Sequence, residues 1–252
     1  MRIGLLVAIR SEVSGWLSHF RVENRWNEEG FTGWEGVFGA QKILLIQTGI
    51  GKDRAEKAAY LSCERYSLSA LISIGFGGGL TGRLKAGDLI LCRGLLSSDP
   101  SEEGMQVESE PSFIEAGLLI GTGRFPVLTG TCISVEKVVT EPAEKKSLNQ
   151  HYGADVVDME SYWIGKASRD RGIPFLAVRA ISDTVDQRLW VPGDLNSSSN
   201  SLVWKAASYL FAHPREFSSL LTLVRNLRLT QRHITQFLDL FLRMENLERP
   251  GQ

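Results

Sequence analysis

Cysteine is scarce in this chain: Cys63, Cys92 and Cys132 are its three, scattered along 252 residues. No pair of them has a metal-binding or redox spacing, which excludes a disulfide scaffold and a thiolate metal centre. Such thiols read as small apolar residues of a reduced, cytoplasmic protein. An excess of charge of either sign is also missing. Lys and Arg number 28 and Asp and Glu 29, a net charge of -1, so nothing resembles the basic footprint of a nucleic-acid binder. Long apolar runs are absent too. Residues 3–9 are apolar, but the run breaks at Arg10-Ser11-Glu12 and is too short for a signal or transmembrane segment. There is no internal repeat and no low-complexity stretch. What remains is ordinary for a soluble globular chain, with 43% hydrophobic and 23% charged residues, and the length suits one large α/β domain.

Short apolar runs alternate with helical patterns. Residues 3–9, 41–48, 71–75, 89–95 and 127–133 read as buried strands. A hairpin or irregular strand pair is expected over 27–37, where Gly30, Gly33 and Gly36 stand among aromatic residues. Ser11 offers a cap for a helix through Trp16 to Phe20, and Gly49-Ile50-Gly51 opens a helix running to about Arg65. Further helices are expected over 141–150, ending at Gly153, and over 162–172. Residues 97–111 read as a loop. Strands alternating with helices predict an α/β fold: a single-domain, three-layer αβα sandwich around a mixed, mainly parallel sheet.

The acids sit at the ends of strands. Glu12 follows the first, Glu160 closes the run Asp155-Val-Val-Asp-Met159-Glu160, and Asp183 closes Val178-Arg-Ala-Ile-Ser182-Asp183. A strand–helix–strand unit over 155–183 would put Glu160 and Asp183 on one sheet edge, where ligands of open α/β sheets bind. The plain alternative makes all three helix-cap or first-turn acids. Gly77-Gly78-Gly79 costs backbone entropy unless close approach or positive φ is required there. A dinucleotide fold is a poor match, because Gly75-Phe-Gly77-Gly-Gly79 lacks the fingerprint spacing and the later ribose acid.

Met159-Glu160 before a helix, and a strand ending Arg179-Ala-Ile-Ser182-Asp183, resemble the purine nucleoside phosphorylase and methylthioadenosine/adenosylhomocysteine nucleosidase superfamily. Gly49-Ile-Gly51-Lys52, the glycine loop and Leu84-Lys85-Ala-Gly87-Asp88 extend the resemblance, which covers residues 1 to about 195. It implies cleavage of a purine N-glycosidic bond without metal or cofactor, by a cytoplasmic homo-oligomer. Asp183, oriented by Ser182, would donate a proton to N7 of the leaving base, and Glu160 would hold the ribose 2′- and 3′-hydroxyls. Met159 would pack on the sugar and Glu12 would activate water. Gly77 and Gly78 would lie beneath base and ribose. Val138 and Val139 stand where the family usually carries a phenylalanine–isoleucine pair that reads adenine. The phosphorylases place an arginine before the glycine loop. Residues 70–75 hold no basic residue, which favours water over phosphate and leaves Arg10 as the local candidate for a phosphate ligand. The His-Asp segment common in the nucleosidases is missing, which points to a non-standard 5′-group.

The tail reads as an addition. Residues 202–211 supply a last core helix to a catalytic unit of 1–212. Residues 213–252 form an extension in which 217–229 and 234–244 are two amphipathic helices outside the core. They are expected to pack on the core or on a twin subunit, with peripheral membrane contact as the alternative. This tail resembles that of hopanoid-associated nucleoside phosphorylases, which implies a lipid-linked substrate, adenosylhopane. Phosphorolysis, or a non-catalytic nucleoside-binding or scaffold role, are the other functions such a chain could serve.

Overall fold

The computed structural model describes residues 2–121, 125–189 and 217–244. Ten strands form its sheet. In chain order they are β1 (Arg2–Val7), β2 (Arg21–Glu28), β3 (Phe31–Phe38), β4 (Gln41–Gln47), β5 (Leu68–Gly79), β6 (Leu89–Ser97), β7 (Val107–Glu108), β8 (Val127–Ser134), β9 (Val156–Asp158) and β10 (Phe175–Asp183). The helices are α1 (Lys52–Arg65), α2 (Pro111–Ile120), α3 (Pro142–Tyr152), α4 (Ser161–Asp170) and α5 (Phe217–Phe241).

Parallel strands β4, β1, β5 and β10 form the centre, and the hairpin β2–β3 extends one side in antiparallel pairing. On the other side the sheet curls. β10 pairs with β6, β6 with β8, β8 with β9, and β9 returns to the end of β5. The sheet is therefore mixed, with a closed turn of strands around the ends of β5, β9 and β10.

Strand periodicity sorts the core into faces. In β10, Leu176, Val178 and Ala180 face one layer, while Phe175, Ala177 and Ile181 face the other. The first layer holds α2 and α5 through Phe113, Ile114, Phe237 and Phe241. The second holds α1 and α4 through Ala55, Ala59, Trp163 and Ala167. This is the three-layer arrangement expected.

Three readings need correction. Residues 10–18 form two 3-10 turns, Arg10–Val13 and Trp16–Ser18, instead of a helix capped by Ser11. Glu12 itself reaches back to the Ile9 amide, and Gly15 separates the turns. The glycines 77–79 are not a loop, since β5 runs through Gly79 and none of the three has positive φ. Residues 217–241 are one continuous helix and not two. Ile234, Phe237, Leu238 and Phe241 recur at helical spacing and are buried in the main core, so the apolar stripe that suggested a separate tail is part of the central packing. The helix expected over 202–211 lies outside the described residues. No helix among the described residues is long and apolar enough to cross a membrane.

Candidate active site

The ends of β5, β9 and β10 meet at Gly78, which registers with Val157 of antiparallel β9 and with Asp183 of parallel β10. β9 and β10 therefore run in opposite directions, so the parallel strand–helix–strand unit expected over 155–183 does not exist. Glu160 and Asp183 still converge, because the shared neighbour β5 brings the two strand ends together. A cavity of 310 Å³ opens there. Its wall includes Glu12, Gly77, Gly78, Val138, Val139, Met159, Glu160, Ser182 and Asp183. Arg10 alone of the anticipated residues is elsewhere, exposed on the first 3-10 turn.

Each carboxylate is held by a different device. Glu12 is buried, and the amides of Ile9 and Phe76 donate to Oε2 and Oε1 at 3.0 and 3.1 Å. Burial raises its pKa, against those hydrogen bonds and the charge of Arg179. Gly75 explains part of the glycine run. A Cβ there would intrude on Glu12 Oε1, and one at Gly78 would lie 3.4 Å from Asp183 Oδ2. Close approach, and not positive φ, is what these glycines supply.

Glu160 receives the Gly51 amide on Oε1 at 2.8 Å. That amide belongs to the N-cap of α1, where Gly51 takes φ 95°, so this helix N-terminus serves a carboxylate of the same chain. Burial, then the nearby charge of Asp158, pushes the Glu160 pKa up to about 8.

Asp158 also lines the cavity but behaves oppositely. Burial would raise its pKa, yet Arg179 with hydrogen bonds from Ser134 and Ser161 lowers it. Arg179 Nε donates to Asp158 at 2.7 Å and Nη2 donates to Ser73 Oγ at 2.6 Å, which secures the floor of the site.

Asp183 accepts from Ser182 Oγ at 2.6 Å on Oδ1 and from Lys145 Nζ on Oδ2. Lys145 is fully buried, and sequence reading gave it no role in the site. A signal was present, for Lys145, Leu148 and Tyr152 stand at inward-facing helical spacing and the latter two pack on a core cluster. The part that α5 plays in the site was not anticipated either. Leu223 and Leu227 line the cavity, and Asn226 Nδ2 donates to the Ser182 carbonyl at 3.0 Å. No helix opens after Gly79, which removes the dinucleotide alternative.

Comparison with known proteins agrees with this architecture. A 5′-methylthioadenosine/S-adenosylhomocysteine nucleosidase of Shewanella sp. (strain MR-7) is 23% identical over 201 residues, 74% of this chain and 85% of its own. Among solved structures, the nucleosidase of that name from Neisseria meningitidis, in complex with methylthio-immucillin-A, superposes with a TM-score of 0.76 at 18% identity, covering 96% of this chain and 98% of that one. The futalosine hydrolase of Helicobacter pylori strain 26695 gives 0.73 at 18% identity, covering 95% and 97%. At such identities these structures show the fold, and their coverage takes α5 into the shared architecture. The model of the Phosphorylase superfamily matches residues 2–208, so the strands, glycine run and acids that build the cavity all fall within the match, and the chain belongs to that superfamily.

Proposed function

We propose that the protein hydrolyses the N-glycosidic bond of an adenine nucleoside bearing an apolar 5′-substituent. One observation carries this reading. The cavity wall holds four carboxylates, Glu12, Asp158, Glu160 and Asp183, and no cationic side chain among its described residues. A phosphate anion entering this wall finds no cationic side chain to pair with and meets the ionised Asp158, whereas neutral water meets no such barrier. Relatives named as nucleosidases and a hydrolase are in keeping with water as the nucleophile.

The chemistry follows from charge. Cleavage builds positive charge on the sugar and negative charge on the base. Protonation at N7 by the Asp183 site, with Ser182 fixing the carboxyl, makes the base a neutral leaving group. Glu12, whose burial raises its affinity for a proton, takes one from the attacking water. Glu160 offers Oε2, which accepts no hydrogen bond among the described residues, to the ribose hydroxyls while Gly51 holds Oε1. Met159 packs on the sugar, Gly77 and Gly78 allow close approach beneath it, and Val138 and Val139 flank the base.

Leu189, Leu223 and Leu227 add apolar surface to the same cavity, which supports an apolar 5′-group. Adenosylhopane, an adenine nucleoside joined to a polycyclic lipid, is the extreme member of that class. The test is a panel of adenosine, methylthioadenosine, longer 5′-alkyl analogues and adenosylhopane, with and without phosphate. Free adenine and free sugar at a rate independent of phosphate are expected, with kcat/KM rising as the 5′-group becomes more apolar. Sugar 1-phosphate as the main product would overturn the choice of water.

A further inference from the structure

Lys145 occupies a position that neither the fold nor the mechanism above accounts for. It lies on α3 with its side chain fully out of solvent. Its ammonium has three N–H donors, and three acceptors meet them: Asp183 Oδ2, the Thr184 carbonyl at 2.9 Å and the Gln187 carbonyl at 2.8 Å. The group is saturated in its charged form. The Asp183 carboxyl is therefore bonded on both oxygens by donors, the ammonium on Oδ2 and Ser182 Oγ on Oδ1. A carboxyl that accepts on both oxygens is arranged as an anion. The proposed reaction nevertheless requires this same group to hand a proton to the leaving base.

We propose that Lys145 and Asp183 act as one proton-holding pair, in which the Lys145 ammonium stores the proton and the Asp183 carboxyl passes it to the substrate. This inference rests on the hydrolytic reading above. During cleavage an Nζ–H bond of Lys145 breaks as an O–H bond forms on Asp183. That O–H bond then breaks as N7–H forms on the base. The electron pair of the C1′–N9 bond leaves with the base, which departs neutral. The water oxygen bonds to C1′ and its proton passes to Glu12. Lys145 is left as a neutral amine and regains a proton from solvent as products leave, while Glu12 releases its own. Lys145 does not touch the substrate and is a positioning residue and proton store.

The surroundings isolate the pair. Glu12, Asp158 and Glu160 are the other ionisable side chains on the cavity wall. Asp158 is matched by Arg179, and α5 presents Leu223, Leu227 and Asn226 there. On the solvent side of α3, Lys146 pairs with Asp186 and Glu141 with Arg188. Lys145 is thus the cation in contact with Asp183.

The decisive measurement is the pH dependence of kcat. The intact pair holds its proton on the ammonium, so removing the amine removes the store from which Asp183 is supplied. In Lys145→Met the alkaline limb of the profile is expected to move down by about one pH unit or more, roughly a tenfold loss of rate at about pH 8 beyond any loss at acid pH. Lys145→Arg keeps the charge but holds its protons too tightly to give one up, so it should not restore the wild-type limb, and a wild-type profile in it would overturn proton storage. Lys145→Gln keeps donors for the Thr184 and Gln187 carbonyls without the charge and should behave like Lys145→Met. A uniform fall in kcat with the limb unmoved, or no change, would overturn the proposal.

A second readout needs neither turnover nor a Lys145 variant. The infrared difference spectrum of wild type against Asp183→Asn at about pH 7 should show carboxylate bands for Asp183, and a protonated-carboxyl band would overturn the stored-proton arrangement. Failure of the wild type to release base from any nucleoside would instead sink the hydrolytic reading, and the spectrum would still report on the pair.

Discussion

Glu160 offers a measurement in which the cost of a functional carboxylate is read directly as stability. Its carboxyl is buried, holds one backbone amide, and shares its surroundings with Asp158. Its pKa is pushed up to about 8 from an ordinary 4.5. Between those values the folded protein keeps a proton that the unfolded chain has released, so stability must fall as pH rises. Below about pH 4.5 both states hold the proton and there is no penalty. Above about pH 8 both have lost it and the penalty is complete. At about 1.4 kcal/mol per pKa unit, the full effect is several kcal/mol, of order 5.

Glu160→Gln preserves the shape and the oxygen that accepts from Gly51, and has no proton to lose. Wild type and variant should unfold alike near pH 4.5 and separate steadily to about pH 8, with the variant the more stable. For a urea slope of about 3 kcal/mol/M, the midpoints should differ by about 1.5 M at the alkaline end. Glu12 contributes its own pH dependence to both proteins, so the difference between them is the quantity to follow. Urea titrations at unit steps of pH suffice. Midpoints that stay parallel across this range would refute the assignment of a strained carboxylate. A variant that is more stable and yet binds nucleoside poorly would show what the residue is kept for.

Other outcomes follow from the same geometry. Asp183→Asn should lower kcat by about two to four orders of magnitude, and near-normal turnover would remove it from the proton path. Gly75→Ala should displace the Glu12 carboxylate that its Cβ would meet, and in a Glu12→Gln background it should cost little more, since both changes disable one group. Kinetics of the two singles and the double decide this. Phe237→Ala, in the fully buried stripe of α5, should destabilise by about 3–5 kcal/mol in thermal or urea unfolding. A loss under about 1 kcal/mol would mean that α5 is not part of the core.

The strands were legible because burial on both faces leaves a continuous apolar run, as in residues 3–9, and the helices of residues 52–65 and 161–170 because a glycine turn or an acid precedes them. Strand partnership was not legible. β9 and β10 are separated by a single helix, which favours a parallel pair on local grounds, yet β9 contacts β5 over two residues only, in the opposite direction. That choice depends on the curl of the whole sheet. Which surface the tail would cover was not legible for a related reason. Arginines punctuate residues 215–232 and suggest a solvated or lipid-facing helix, but the turns that follow carry Ile234, Phe237, Leu238 and Phe241, and only the assembled sheet shows the surface they cover.

Asp158 and Glu160 show most clearly where local reading ends. They stand two residues apart, and both line the cavity. As members of one short motif they look interchangeable. In the fold Asp158 meets Arg179, 21 positions along the chain, and the hydroxyl of Ser134. Glu160 meets a single amide from Gly51, 109 positions away. The first carboxyl is lowered in pKa and the second raised to about 8. The ionised Asp158 is itself one cause of the rise at Glu160, so the floor of the site fixes the charge of one acid and tightens the hold of the next on its proton. Pairs of titratable groups driven apart in this way mark sites where different proton tasks are divided. Here the division is made by two distant partners, delivered by β10 and by the turn into α1, and no property of the Asp-Met-Glu segment alone could produce it.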